Sequence, residues 1–207
     1  MIHDNMKLKL WSIQYEHKLY ELEKLGKLIC VDPNFSEDMN WETEYKWMTK
    51  KLTKKVGSSN QKNQSPIWAW YQYFNTTKPK PDLRKSGYLP SGEKGIRIEF
   101  EKKISEVLLS DFILWHWPLS YKSYIAKNNI DRIRFKLKLN NLSLSNVSFK
   151  NLPKNIKAEI EESWNKIFDL NYEYKYYTDK RNEKMIQACL WEINKDEIIK
   201  IDKFVAK

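Results

Sequence analysis

The strand-like and helix-like segments of this chain follow one another without a regular alternation of strand and helix. Doubly wound parallel sheets need a crossover helix between successive strands, so this order favours an α+β fold instead. The chain has 207 residues, the length of one ordinary domain. We therefore expect a single globular domain over residues 1–207, with a mixed or antiparallel central sheet and flanking helices.

Two helices and the central strands are indicated by hydrophobic periodicity. Tyr15, Leu19 and Leu22 repeat at helical spacing before Gly26, and the segment from Trp41 to Val56 does so before Gly57. Period-two or continuous apolar patterns predict strands at 7–14, 66–74, 96–101, 107–112 and 185–193. The third and fourth of these could form a hairpin, and the segment 133–144 fits either a strand or a helix. Polar, aperiodic stretches predict loops at 58–65 and 75–94.

Low glycine, cysteine and histidine counts exclude several kinds of site. The five glycines match neither G-x-G-x-x-G nor G-x-x-x-x-G-K-[ST], so the usual Rossmann and P-loop phosphate sites are absent. Two cysteines and three histidines cannot build a Cys/His zinc cluster. No structural zinc site is therefore predicted.

The formal net charge of +10 favours a polyanionic partner such as nucleic acid. A lysine-rich composition also suits a chain encoded by an AT-rich genome, and both explanations stay open. No run of about 18 apolar residues is present and the first residues lack the apolar core of a signal peptide, so we expect a cytoplasmic protein without a membrane partner. The sequence does not indicate an oligomeric state.

The aromatic segment Ile67–Tyr71 predicts both core and ligand contacts. Strand alternation places Trp68 and Trp70 on one face, and Ile67, Ala69 and Tyr71 on the other. Indole and phenol rings offer flat faces on which a base or a nicotinamide ring can stack. One face should therefore pack in the core, while the other could hold a planar ligand.

A nuclease pattern is also present. Pro81-Asp82 followed by Glu101-Lys102-Lys103 matches PD…(D/E)-x-K, in which two carboxylates hold a divalent metal and the lysine assists the attacking water. Such a motif arises easily by chance in a lysine-rich chain, so a metal-dependent nuclease is the less favoured alternative.

His116 lies between two tryptophans and closely follows Asp111. A histidine titrates near neutral pH and could act as a general base oriented by this carboxylate. The alternative is a hydrogen-bonded packing residue beside an aromatic cluster.

Six short segments, in this order, carry a resemblance over most of the chain. They are Leu10-Trp11-Ser12-Ile13-Gln14, Pro66-Ile67-Trp68-Ala69-Trp70-Tyr71, Pro81-Asp82-Leu83-Arg84, Leu108-Leu109-Ser110-Asp111-Phe112, Trp115-His116, and Gln187-Ala188 with Trp191-Glu192. Together they resemble the bacterial domain-of-unknown-function family 3841. That resemblance implies a single-domain fold and no particular activity.

The early strand and helix, the aromatic middle strand and the late Gln-Ala-x-Leu strand also resemble, more weakly, the ADP-ribosyltransferase superfamily. The resemblance implies an NAD site in which the first strand, through Trp11 or Gln14, faces the ribose. A middle-strand aromatic, Trp68, Trp70 or Tyr71, would lie under the nicotinamide. Arg84 on the long loop would bind the pyrophosphate.

On the late strand the resemblance places Gln187 two residues before a catalytic glutamate. Cys189 occupies that second position. Glu192 could replace the missing carboxylate only if a bulge turned it to the same face. The resulting expectation is an ADP-ribosyltransferase-like domain that binds NAD or a related nucleotide and modifies or binds nucleic acid. The alternative from another class is a non-catalytic nucleic-acid-binding module.

Overall fold

The computed structural model describes residues 6–31, 42–61 and 63–207. The chain divides into two compact units. Unit 1 comprises the described residues up to Leu109 together with Ile186–Lys207, and unit 2 comprises Ser110–Met185. The organisation as one domain stays a prediction.

Eight strands and five α-helices are present in the described part of the chain. The strands are β1 (Lys7–Tyr15), β2 (Lys27–Ile29), β3 (Ile67–Gln72), β4 (Lys94–Lys103), β5 (Leu108–Asp111), β6 (Ile186–Leu190), β7 (Glu192–Asn194) and β8 (Ile198–Val205). The helices are α1 (Lys18–Leu25), α2 (Glu42–Val56), α3 (Phe112–His116), α4 (Asn129–Asn141) and α5 (Lys154–Ser163). No described helix has the length and hydropathy needed to span a membrane.

The six main strands form one sheet in the order β5-β6-β3-β1-β4-β8, and β2 pairs separately with β7. The ladders β1–β3, β1–β4, β3–β6 and β4–β8 are all antiparallel. These strands and helices make an α+β architecture with a mainly antiparallel sheet, as the sequence predicts.

One face of the sheet packs in the hydrophobic core of unit 1. Leu10, Ile98, Phe100 and Leu190 are almost completely buried there. Helix α1 packs Leu22 into the same core and ends at Gly26, which adopts φ 70° and donates its backbone N–H to the Leu22 carbonyl. A left-handed residue at this position suits glycine and stops the helix, as predicted.

Helix α2 confirms the second predicted helix. Met48 and Leu52 are fully buried on its apolar face, and Gly57 follows it with φ 104°. Trp41, the predicted first residue of the pattern, lies outside the described residues.

The predicted hairpin between strands 96–101 and 107–112 is wrong. Strand β4 is paired on both edges, with Leu10 opposite Phe100 and Ile201 opposite Ile98. No edge of β4 is left for β5, which instead lies beside β6 at the end of the sheet.

In unit 2 the segment that fits either a strand or a helix forms helix α4. The side chain of Asn128 caps it by accepting a hydrogen bond from the Asp131 N–H at 3.0 Å. Helix α3 is followed by a wide helical turn over Trp117–Tyr121.

Candidate functional site

Three of the predicted site residues lie in one row across unit 1. Gln187 on β6 is directly opposite Trp70 on β3, and Trp70 is directly opposite Trp11 on β1. Directly opposed residues project to the same face of a sheet. This face, defined by Trp11, Trp70 and Gln187, is called the indole face below. It is opposite to the face on which Ile67 and Ala188 pack in the core.

The Gln187 side chain has an unsatisfied polar atom. Its Oε1 is buried and accepts no hydrogen bond from any described residue. The neighbouring Trp70 ring meets the Tyr73 ring edge-on, with centroids 5.0 Å apart. Native proteins rarely leave buried acceptors unpaired, so this carbonyl oxygen keeps an unused hydrogen-bonding capacity at the indole face.

Strands β1 and β3 meet through a serine that the sequence did not single out. The Ser12 hydroxyl is fully buried and donates to the Trp68 carbonyl at 2.9 Å. Gln14 donates its Nε2–H to the same hydroxyl oxygen at 2.8 Å. Alternation along β1 therefore puts Gln14 on the core side, away from Trp11. Only the order of residues in β1 could have suggested this role for Ser12.

Trp68 and Cys189 lie opposite each other at one end of the indole face. Tyr45 of helix α2 packs edge-on against the Trp68 ring, with centroids 6.0 Å apart. Cys189 is completely buried, and burial raises the pKa of its thiol well above the ordinary value. The position at which the superfamily resemblance implies a catalytic carboxylate therefore holds a thiol without access to solvent.

Charged residues organise the other end of the indole face. The Trp11 indole N–H donates to Glu99 at 3.0 Å, and Lys80 Nζ lies 3.1 Å from the same carboxylate oxygen. Arg97 donates to Asp202 at 2.6 Å and also to the Pro81 carbonyl. The contacts of Lys80 and Pro81 hold the segment 73–93 against β4. An ion pair between Lys80 and Asp202 at 3.8 Å holds it against β8.

We expect the stabilising effect of Asp202 to disappear at low pH. Lys200 and, to a smaller extent, Arg97 donate hydrogen bonds to the Asp202 carboxylate, and these bonds lower its pKa from 3.8 to about 2. Since the pKa is lower in the folded state, the contribution is full above about pH 4 and is lost as the pH falls towards 2. The difference in unfolding free energy between wild type and Asp202→Asn, measured by urea denaturation, should therefore shrink between pH 5 and pH 2. A difference that grows over this range would contradict the assignment.

Three other predicted site residues lie away from the indole face. Tyr71 sits at a β-bulge and packs against the core. Arg84 is highly exposed and forms an ion pair with Asp82 at 2.7 Å, which holds the pKa of Asp82 well below its usual range. Glu192 belongs to β7, where its hydrogen bond with Lys27 at 2.9 Å lowers its pKa.

The late strand is interrupted after Leu190, and this interruption determines the position of Glu192. Strand β6 belongs to the six-stranded sheet, whereas β7 pairs with β2. Trp191 lies between these two strands in the sequence, and its indole N–H donates to the Gly57 carbonyl at 2.9 Å. Glu192 therefore sits in a different sheet from Gln187.

The residues of the nuclease pattern have separate partners. Asp82 accepts hydrogen bonds from Arg84, whereas Glu101 on β4 lies opposite Lys9 of β1. Within the described ranges, no three His, Cys, Asp or Glu side chains come together in an arrangement that could hold a metal ion.

In unit 2 Asp111 is fully buried in an ion pair with Lys184 at 2.8 Å. The carboxylate also accepts hydrogen bonds from the Leu114 N–H, at 3.0 Å, and from the Thr178 hydroxyl. Lys184 in turn donates to the Tyr172 carbonyl at 2.8 Å. The sequence did not single out Lys184, because only tertiary contacts bring it to Asp111.

His116 contacts its own helix rather than Asp111. Its Nδ1 lies 2.9 Å from the Phe112 carbonyl, and its ring meets the Phe112 ring edge-on. The imidazole is half-buried and lines a groove of unit 2. The predicted pairing of Asp111 with His116 is therefore not formed.

Comparison with protein families finds a match that covers most of the chain. The family model described as "Domain of unknown function (DUF3841)" matches residues 9–199. The chain belongs to this family. The resemblance to this family that the six short segments carry is therefore confirmed. No curated protein and no solved structure matches the DUF3841 domain.

Proposed function

We propose that unit 1 of this DUF3841 domain is an ADP-ribosyltransferase-like domain that binds NAD or a related nucleotide at the indole face. The resemblance implies that a first, a middle and a late strand contribute to one site. The adjacency of β1, β3 and β6 in the sheet supports this implication.

The observation that carries the proposal is the buried, unpaired Oε1 of Gln187 directly opposite Trp70. A carboxamide or ribose hydroxyl donates the hydrogen bond that this oxygen lacks, and an indole offers a flat surface to the attached ring. A nicotinamide riboside carries both groups. The same pair of side chains also suits other nucleotides with an exocyclic amino group.

The proposed site binds NAD, and the late strand supplies no residue that would promote cleavage of the bond between nicotinamide and ribose. Release of nicotinamide develops positive charge on the ribose, which a nearby carboxylate stabilises. The buried Cys189 cannot supply that charge, and Glu192 is engaged with Lys27 in the other sheet. The Glu99 carboxylate at the other end of the indole face is engaged by Trp11 and Lys80, so we expect bound NAD to stay intact.

Isothermal titration calorimetry with NAD on the full chain tests the proposal. We expect saturable binding, with Kd raised about fivefold or more by Trp70→Leu and by Gln187→Ala, since stacking and a buried hydrogen bond each contribute about 1 kcal/mol or more. Tyr20→Leu on helix α1 is the matched control, because its ring is 67% exposed and its helix packs on the core face of the sheet, so the Kd should stay unchanged. Thermal denaturation of each variant checks folding, and chromatography of the titrated sample should find no free nicotinamide.

Two results would contradict the proposed function. One is the absence of heat at millimolar NAD for the folded wild-type chain. The other is an unchanged Kd for both Trp70→Leu and Gln187→Ala, because the binding site would then lie elsewhere.

A further inference from the structure

Unit 2 contains a groove walled by aromatic side chains. Its volume is about 660 Å³, and its lining includes His116, Trp117, Tyr176 and Tyr177. We call it the aromatic groove. The Trp117 ring meets Tyr177 edge-on at 4.7 Å between centroids, whereas Tyr176 remains 57% exposed. Large aromatic rings that stay exposed in this way offer faces for stacking.

A second cavity shares Ser123 and Tyr177 with the aromatic groove. It has a volume of about 450 Å³ and is lined by both cationic and aromatic side chains, including Arg132, Lys136, Tyr124 and Phe135. We call it the basic cavity. The Tyr124 and Phe135 rings are stacked with centroids 4.0 Å apart, which gives this cavity a flat apolar wall beside its cations.

Arg132 belongs to both parts of this surface. Its guanidinium lies 4.7 Å from the centre of the Tyr176 ring in the groove, while the residue also lines the basic cavity. One Nη atom donates to Asn129 at 2.9 Å, but the buried Nε has no hydrogen-bond partner among the described residues. A buried cationic donor without an acceptor is suited to an anionic ligand.

We propose that the aromatic groove and the basic cavity together bind a nucleotide with a planar base and a phosphate, as in single-stranded nucleic acid. The base stacks on the aromatic rings, and the phosphate pairs with Arg132 and Lys136. This combination of ring faces with cations is how proteins hold single strands with little sequence preference. The +10 net charge of the chain adds long-range attraction for such a polyanion.

The site is independent of the proposed NAD site. All of its lining residues belong to unit 2, whereas the indole face belongs to unit 1. Variants of one site therefore leave the other intact, and each proposal can fail without the other.

Fluorescence anisotropy of a labelled twelve-residue oligothymidylate with the full chain tests the inference. We expect Arg132→Ala and Tyr176→Ala each to raise the Kd at least fivefold. Arg134→Ala removes the same charge from the same helix, but its 58% exposed side chain is absent from both linings, so the Kd should change less than twofold. Arg132→Ala should also reduce the slope of log K against log salt by about one, the effect of one lost phosphate contact. If Arg132→Ala fails to fold, Lys136→Ala replaces it with the same expectation.

Competition identifies the source of the nucleotide. Displacement by millimolar thymidine monophosphate assigns a free nucleotide to the site, whereas displacement by unlabelled strand alone assigns the polymer, and either result supports the inference. Equal weakening by Arg132→Ala and Arg134→Ala would overturn it, because binding would then follow overall charge. The absence of binding by both strand and monophosphate at low salt would overturn it as well.

Discussion

Replacing Lys184 with methionine should lower the free energy of unfolding by about 3–5 kcal/mol, the usual cost of removing one partner of a buried ion pair. Lys184 and Asp111 are both fully buried, so the Asp111 carboxylate would keep its position without its counter-ion. The additional change Asp111→Asn removes that charge and should recover part of the loss.

Urea denaturation and hydrogen exchange check this expectation together. The Leu114 amide, which donates to Asp111, should exchange faster in Lys184→Met. Lys180→Met is the matched control, since Lys180 is exposed in the same segment, and it should change the unfolding free energy by less than about 0.5 kcal/mol. Equal changes in unfolding free energy for the two lysine substitutions would show that the buried ion pair stabilises the protein no more than an exposed lysine does.

Introducing the carboxylate that the superfamily resemblance leads one to expect should damage the protein. We expect Cys189→Glu to destabilise the chain by about 3–5 kcal/mol at pH 7, because a carboxyl at this completely buried position has a strongly raised pKa. Because the pKa of this carboxyl is raised in the folded state, the destabilisation grows as the pH rises above the pKa of the carboxyl in the unfolded chain, which is about 4.3. The destabilisation should therefore be smaller at pH 5 than at pH 7.

Gln187→Glu is the matched control for that substitution. Gln187 lies two residues earlier on the same strand face and, although its Oε1 is buried, the residue as a whole is only half-buried, so a carboxylate there loses less water than one at the completely buried Cys189. We expect a cost of less than about 2 kcal/mol. A Cys189→Glu protein as stable as wild type, with measurable release of nicotinamide from NAD, would contradict our description of this end of the indole face.

Local sequence patterns were sufficient to predict features that depend on a single helix or strand. The helical spacing before Gly26 and Gly57 located two helices, and the alternation in Ile67–Tyr71 placed Trp68 and Trp70 together on one face of the strand. Each of these features depends on residues within one turn or one strand. The sequence is therefore a sound guide to them.

Several features that depend on distant segments were missed, although the resemblance did imply that the aromatic and late strands share one site, and they are paired in the sheet. The hairpin expectation failed because both edges of β4 are taken by strands from the two ends of the chain. The break after Leu190, the Asp111–Lys184 pair and the Ser12 hydrogen bond likewise involve residues from 56 to 165 positions apart. Periodicity carries no information on such pairings, and for this reason the site around Gln187 could be outlined but not assembled from the sequence.

Nuclear magnetic resonance of the Gln187 side-chain amide and the Trp70 indole N–H during an NAD titration tests the central claim most directly. Assigned through Gln187→Ala and Trp70→Phe, both signals should shift saturably with one shared Kd, while the Trp191 indole N–H, bonded to the Gly57 carbonyl, should stay unchanged. If the Gln187 and Trp70 signals remain in place up to millimolar NAD, the indole face is not a nucleotide site.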